Sequence, residues 1–397
     1  MNLKKKKIKR ICVVTSSRAD YGLLSKILKK IKKDRKFNLQ IIVTGSHLEK
    51  KYGFTINEII KDGFKPSKKI KLDFKNDSFQ NLSLQFSKAI NHFTKCFIQI
   101  KPDFVLLLGD RYEIFAAAVA SFFAKIKIGH INGGEITEGA IDDSFRHCIT
   151  KLSDFHYTAN PIYRRRVIQL GENPRNVLMT GGLGAEIIKE FKPLSKQKLQ
   201  EKLNFKFGKK NLLVTIHPDT TNYSNNRNFI HQTLLALDQL KETKIFFTYP
   251  NFDPGNEIIK DHIIRFRKKR VKNIHIFKSL GVKNYLSFLK YVDAVVGNSS
   301  SGVSEAPSFK IASINIGDRQ KGRVFANSII NCKIDNKLIL KSIKKIYNKK
   351  FKRKIKNTKN PYYSGKSSEK IISSLKKVDL SKITTKSFFN NFQNIKS

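Results

Sequence analysis

The sequence predicts an α/β protein of two Rossmann-like domains facing across a cleft, and three features lead there. Apolar, strand-like runs alternate with amphipathic helical stretches, the signature of parallel sheets covered on both faces. The alternation pauses at a glycine cluster, Gly181, Gly182 and Gly184, and then starts again. At 397 residues the chain is too long for one ordinary core and suits two domains.

"ICVVTSS" is the first strand, and it runs into "RADYGLLSKILKKIKKD", where Leu23, Leu24, Ile27, Leu28 and Ile31 recur at helical spacing. "NLQIIVTG" is the next strand, followed by the loop "SHLEKKYGFT" and a short helix, "INEIIKDG". "PDFVLLLGD" reads as a buried strand ending in Gly109 and Asp110, and "RYEIFAAAVASFFAK" as a small-residue helix able to pack closely on the sheet. A fourth strand, "IKIGHING", delivers the loop "GHINGGEITEGAIDDSFRH". In the second half "NLLVTIHP", "KIFFTYP", "NIHIFKSL", "VDAVVGNSS" and "IASINIGD" alternate with helices such as "NFIHQTLLALDQL" and "EIIKDHIIRFRKK". The first domain is placed at 1–180 and the second at 181–360, with the glycine cluster as a hinge. Strand carboxyl ends point into the cleft, where ligands bind in such sheets.

Composition narrows the classes. Aliphatic and aromatic residues make up 40% of the chain, enough for a sizeable interior in each domain. No apolar run approaches the roughly 20 residues that cross a bilayer, and "ICVV" is too short for a signal-peptide core, so a cytoplasmic location without membrane insertion is expected. Cys12, Cys96, Cys148 and Cys332 stand far apart without CxxC spacing, and read as reduced thiols rather than a zinc or redox site. The formal charge of +47 suggests a polyanion partner at first sight. The excess is nearly all Lys and spread along the chain, dense only in "KKKKIKR" and "KSIKKIYNKKFKRKIKNTKN", so a solvated basic face is preferred and nucleic acid is set aside. Such a field still draws in an anionic substrate.

Candidate site residues fall at strand ends. Asp110 follows the apolar run Val105 to Leu108, at the edge of a dry sheet, with Arg111 beside it; a functional carboxylate and a cap for the next helix are the two readings. Arg18, just past the first strand, reads as a group for a phosphate or sugar acid or as a surface arginine. His217 ends "VTIHP", as a ligand-facing or a satisfied structural histidine. Neither half carries GxGxxG or a Walker loop, so nicotinamide and ATP lack their usual cradle. "GNSSSGVSEAPSF" offers a different one: Gly297 ends a strand and Asn298 to Gly302 lead into a helix start, either an anion cradle or a Ser-rich cap. The loop at 129–147 gathers scarce carboxylates, Glu135, Glu138, Asp142 and Asp143, between His130 and the pair Arg146 and His147.

Six blocks now stand in order: "VTSSRADYGLL", "TGSHL", "LLGDRYE", "HINGGEITEGAIDDSFRHCITKLS", "GNSSSGVSEAP" and "NIGDRQKGR". Their order and spacing resemble the hydrolysing UDP-N-acetylglucosamine 2-epimerases of bacterial sialic and legionaminic acid synthesis, over roughly residues 10 to 375. The resemblance implies a GT-B-like fold, with residues 361–380 forming a helix that returns to the first domain and 381–397 left as a basic tail. It implies a nucleotide-sugar substrate (UDP-N-acetylglucosamine or a related one), no metal or redox cofactor, and a dimer or tetramer. A base removes the C2 proton while UDP leaves C1, giving a glycal, and water adds to give free N-acetylmannosamine.

That reaction needs a placed base, an acid and strict orientation, and carboxylates sharing one site can divide these roles. By resemblance Asp110 and either Asp142 or Asp143 are acid–base residues, with Asp142 preferred, and Arg146 and His147 complete the cluster. Many relatives carry Glu, some His, at the position of Asn132, which cannot take a proton; Glu135 is then the candidate for that work. Arg18, His217, Ser299 and Ser300 match diphosphate-contacting positions and Glu305 the ribose partner, while Arg319, Gln320 or Arg323 of "GDRQKGR" closes over sugar or phosphates. A GDP-linked or 4-acetamido-6-deoxy substrate, a GT-B glycosyltransferase and a polyanion-binding protein are the competing readings.

Overall fold

The computed structural model describes residues 8–73, 78–138, 140–219, 223–250, 255–269, 272–380 and 386–390. The chain forms two compact units. One comprises 1–135, 142–187 and 362–397, the other 136–141 and 188–361.

The first unit is built on β1 (Lys9–Thr15), α1 (Arg18–Lys33), β2 (Phe37–Thr44), α2 (Ile56–Lys61), β3 (Lys68–Ile70), α3 (Phe79–Ile100), β4 (Phe104–Leu108) and α4 (Tyr112–Phe123). It continues through β5 (Lys127–Ile131), α5 (Asp142–Leu152), β6 (Phe155–Thr158), α6 (Pro161–Gln169), β7 (Val177–Met179) and α7 (Leu183–Glu190). All seven strands are parallel, in the order β3-β2-β1-β4-β5-β6-β7. Both faces are covered, which is why β1 and β4 read as unbroken apolar runs instead of alternating ones. α1 starts cleanly because Ser17 and Asp20 form a reciprocal capping box. Its inner stripe, Leu24, Ile27, Leu28 and Ile31, packs in one core with Val13, Ile41, Phe104 and Leu106. A C-terminal helix, Ser367–Lys377, adds Ile371, Ile372 and Leu375 to that core. Lys9 Nζ caps it by donating to the carbonyls of Leu375 and Val378, and buried Glu186 accepts from the Ser368 N–H and hydroxyl near its start.

Gly181 and Gly182, read from the sequence as a hinge, lie inside this first unit. The Gly182 N–H donates to the Tyr362 carbonyl at 2.8 Å. At Gly181, with φ +89°, a Cβ would come within 2.3 Å of Ser364 Oγ. These glycines serve a close approach of two chain segments.

The second unit contains α8 (Lys196–Leu203), β8 (Lys210–Thr215), α9 (Asn226–Asp238), β9 (Thr243–Thr248), α10 (Asn256–Lys269), β10 (Ile274–Phe277) and α11 (Gly281–Leu289). Beyond them lie β11 (Ala294–Gly297), α12 (Ser300–Ser304), β12 (Ala312–Ile316), β13 (Ile329–Cys332), α13 (Asn336–Ile346) and α14 (Lys349–Lys356). Its six parallel strands run β10-β9-β8-β11-β12-β13, around a core of Leu212, Val214, Ile245, Phe247, Val296 and Ile314. The sequence reading had no counterpart for the short edge strands β3 and β13. Each sheet reverses strand order once, between β1 and β4 and between β8 and β11. Crevices at the carboxyl ends of these central strands are where doubly wound sheets hold ligands.

Candidate active site

In the first unit Arg146, 2% exposed, is the centre of a charged cluster. One arm of its guanidinium pairs with Asp110, just past β4. The other donates to Asp143 Oδ1 at 2.8 Å and to the Glu135 carbonyl at 3.0 Å. Asp143 Oδ2 lies 3.5 Å from His147 Nε2, one turn along α5. These distances follow from helical periodicity: 143, 146 and 147 share a face of α5, whose positive end also favours Asp142 and Asp143. Asp142 is half-buried and Glu135 buried.

His130 fixes the peptide ahead of Asp110. It is fully buried, and its Nε2 lies 2.9 Å from the Gly109 carbonyl. A carbonyl only accepts, so Nε2 carries the hydrogen and Nδ1, 3.1 Å from the Thr150 hydroxyl, is left with a lone pair. Burial pushes the pKa of His130 down to about 3, so the ring is neutral at pH 7. Asn132 takes φ +69°, with its N–H on the Tyr157 carbonyl at 3.0 Å. Asn is among the few non-glycine residues at ease in that left-handed region, which gives this position a backbone reason for its side chain.

Arg18 opens α1 and pairs with Glu58 of α2 at 2.7 Å, both partly exposed. Beside it is a cluster with no counterpart in the sequence reading. Asp20 accepts from the Thr15 and Ser16 hydroxyls and from the N–H groups of Ser16 and Ser17. Burial works to raise the Asp20 pKa, and His47 together with these donors outweighs it and holds the carboxyl below its usual value. Glu113, wholly buried, pairs with Arg111 at 3.3 Å, and burial raises its pKa.

The second unit assembles a different set. His217 is buried just beyond β8; burial, with Arg319 nearby, holds its pKa well below the ordinary value. The Asn298 side chain grips its main chain from both sides, accepting from the His217 N–H at 2.7 Å and donating to the His217 carbonyl at 2.8 Å. The Asn298 carbonyl accepts from Gln320 Nε2 at 2.9 Å and Arg319 Nη1 at 3.3 Å. One asparagine therefore joins the ends of β8 and β11 to the loop after β12. Gly297 is obligatory there: at φ +129° a Cβ would sit 1.9 Å from the Thr215 carbonyl.

Ser299 caps α12 by accepting from the Ser301 N–H, and Ser300 is the first residue of that helix. α12 has five residues, so its dipole is small, and what its start presents is N–H and hydroxyl donors more than helix length. Tyr285 donates to the Ser301 hydroxyl, which donates to Glu305; burial raises the Glu305 pKa against that bond. Arg323 is half-buried at the turn closed by its N–H on the Gln320 carbonyl. In the same unit Glu138 pairs with Lys321 at 2.7 Å on the surface, and Gly322 packs against Ile136, where a Cβ would clash at 2.4 Å.

Residues 29–376 match the model of the UDP-N-acetylglucosamine 2-epimerase family. The chain belongs to this family. It is 40% identical, over 96% of its length and 99% of the relative's, to a hydrolysing GDP/UDP-N,N'-diacetylbacillosamine 2-epimerase of Campylobacter jejuni. Polysialic acid biosynthesis protein P7 of Escherichia coli is 36% identical over 90% of each chain. In three dimensions the chain is similar to the UDP-GlcNAc 2-epimerase of Neisseria meningitidis bound to UDP-GlcNAc, with a TM-score of 0.78 and 19% identity over 93% of this chain and 100% of that one, which establishes the shared GT-B-like fold. In this member of the hydrolysing 2-epimerases of nucleotide sugars, the Asp110–Arg146–Asp143 ion cluster lies in the first unit and the amide and serine cluster around Asn298 and Ser301 in the second. Asn298 and His130 are organising residues to which the sequence reading gave no role. Each directly follows a glycine, Asn298 just past β11 and His130 within β5.

Proposed function

We propose that this 2-epimerase acts on a UDP- or GDP-linked 2-acetamido sugar bearing a 4-acetamido-6-deoxy ring, N,N'-diacetylbacillosamine, releasing the nucleotide and the free 2-epimer. The identity of 40% along 99% of a relative named for that substrate supports this sugar over the UDP-N-acetylglucosamine expected from motif resemblance alone. The observation that carries the chemistry is the clamp of Arg146 on Asp110 and Asp143.

In this reading a carboxylate takes the C2 proton as the C1–O bond to the nucleotide breaks, and a C1–C2 double bond forms. Water then adds its hydroxyl at C1 while C2 receives a proton on the opposite face. Asp110 and Asp142 are the acid–base pair, Glu135 the further proton-carrying group in the absence of a carboxylate at Asn132, and Arg146 holds Asp110 and Asp143 in place. His147, 3.5 Å from Asp143, helps to position it. The nucleotide is assigned to His217, Ser299, Ser300 and Arg319, its ribose to Glu305, with Arg18 and Arg323 as further cationic contacts. A neutral His217 serves as a hydrogen-bond donor without adding charge.

Proton NMR in heavy water tests this with UDP- and GDP-linked N,N'-diacetylbacillosamine and UDP-N-acetylglucosamine in parallel. The expected result is a free 2-epimer deuterated at C2 from a 4-acetamido substrate, abolished by Asp110→Asn. Faster turnover of UDP-N-acetylglucosamine would return the assignment to that sugar, and an intact C2 proton in the product would rule out elimination.

A further inference from the structure

Residues 386–390 lie beyond the stretch matched to the family, which ends at 376, and they are seated on the first unit. The Lys386 ammonium donates to the carbonyls of Thr150 at 3.3 Å, Lys151 at 2.5 Å and Ser153 at 2.7 Å. Thr150 and Lys151 lie in the last turn of α5, where carbonyls run short of intrahelical donors, and Ser153 follows the helix; the Thr150 carbonyl also accepts from the Ser153 N–H at 3.2 Å. The Lys386 charge is balanced by Glu172, 2.7 Å away and 1% exposed, which also holds Lys151 and His156. The seat is apolar and backbone-bonded as well. Phe389 donates its N–H to the Gly171 carbonyl at 2.9 Å and packs against Val167, Ile168 and Val177. The Phe388 ring lies where a Cβ on residue 171 would be, 2.3 Å from it, with the Lys151 ammonium 5.0 Å from its centroid.

The helix held in this way is the one that carries Asp142, Asp143, Arg146 and His147 at its other end. A continuous set of bonds links the two. From the carbonyls of its last turn, α5 runs back to the Thr150 hydroxyl, then to His130, then to the Gly109 carbonyl beside Asp110. A compact ammonium with three rotatable donors suits converging carbonyls better than a planar guanidinium.

We propose that residues 386–390 form a C-terminal strap that holds the active-site helix α5 in register, with Lys386 as a positioning residue that caps the helix. The strap acts on kcat through geometry and makes no contact with substrate. This rests on the acid–base role assigned to α5 under Proposed function. A shift of the helix displaces Arg146 and with it two carboxylates, and displacements of about 1 Å cost roughly a hundredfold in rate.

The test uses the full chain with Lys386→Met and, separately, a chain ending at Leu380 with the peptide 381–397 added back. Kinetics on the sugar nucleotide and hydrogen exchange of the α5 amides are read together. Lys386→Met is expected to lower kcat about tenfold or more while KM moves less than twofold, and to speed exchange in α5. The free peptide should restore kcat to the shortened chain saturably, and the same peptide with Lys386→Met should not. Wild-type kcat in the Lys386→Met chain overturns the proposal, as does a loss of kcat with α5 exchange unchanged. Should the shortened chain fail to fold, the full-length variant decides alone. If the wild-type protein turns over no sugar nucleotide, the functional reading has failed, and the exchange data still judge the strap.

Discussion

The two polar clusters of this molecule are built on opposite principles. In the first unit full charges are packed together: Asp110, Asp143 and Arg146 form one ion cluster around a guanidinium that is 2% exposed. In the second unit neutral groups do most of the organising, with Asn298 and Gln320 amides, serine hydroxyls, a neutral His217 and a Glu305 whose burial favours its protonated form, and Arg319 adds one cation on the Asn298 carbonyl. The carboxylates proposed to exchange protons with carbon have to be kept oriented, which a buried cation does. The loops proposed to receive an anion need donors fixed in advance, which amide-to-backbone bonds provide with little charge to desolvate.

The comparison breaks most sharply at Arg146. Arg146→Met should lower kcat by about a thousandfold, because the proposed acid–base group loses its orientation. It should also destabilise the protein by about 2–3 kcal/mol, less than for fully buried pairs because both carboxylates keep some solvent. Steady-state kinetics with urea unfolding checks both. A variant with wild-type kcat would remove the ionic cluster from the mechanism.

Histidine protonation is expected next in size. His130 and His217, one per unit, bind protons less readily folded than unfolded. Above the unfolded pKa near 6.5 both states are neutral and stability does not change. As pH falls below it the unfolded chain takes up protons first, so stability drops, for His130 by up to about 1.4 kcal/mol per pH unit and for His217 in the same direction. For His130 the loss runs on until pH nears its folded pKa of about 3. Thermal midpoints across that range should fall, and His130→Gln and His217→Gln should each flatten the slope. An unchanged slope in either variant would mean that its histidine binds protons equally well folded and unfolded.

Asn298→Ala probes the neutral cluster by leaving the buried main chain of His217 without its two bonds. A cost of about 2 kcal/mol is expected, with KM rising more than kcat falls. The opposite split would place Asn298 with the proton-transfer machinery.

Much of this was legible in the sequence, for physical reasons that differ by position. Strand runs such as Val105 to Leu108 and the helical stripe of α1 declare themselves because burial on both faces, or on one, dictates residue type. Asp110, Arg146 and the Asp142 and Asp143 pair were readable as a set through resemblance of their motifs to the family's, and the spacing of 143, 146 and 147 on α5 is what brings the pairs together in the fold. Asn298 was not, since an asparagine that grips the backbone of residue 217 differs in no local way from a turn asparagine. The edge strands β3 and β13 were missed because three or four residues carry too short a period. Nor could spacing reveal that Lys386 reaches carbonyls more than two hundred positions earlier, as |i−j| values of 233 to 236 require.

The smallest effect concerns Arg18, the one residue of the first unit assigned to the anion. Its guanidinium is held by Glu58, with side chains 34% and 42% exposed. A pair so open to water contributes little, so Glu58→Gln should change stability by no more than about 0.5 kcal/mol. Its kinetic effect is the informative one. If Arg18 contacts the nucleotide, it must leave Glu58 to do so, and removing that competitor should lower KM about twofold, an effect that added salt diminishes. A higher KM would show that Glu58 itself holds Arg18 in its working position, and the first unit would then present an anion site preset by charge where the second presets its own with amides.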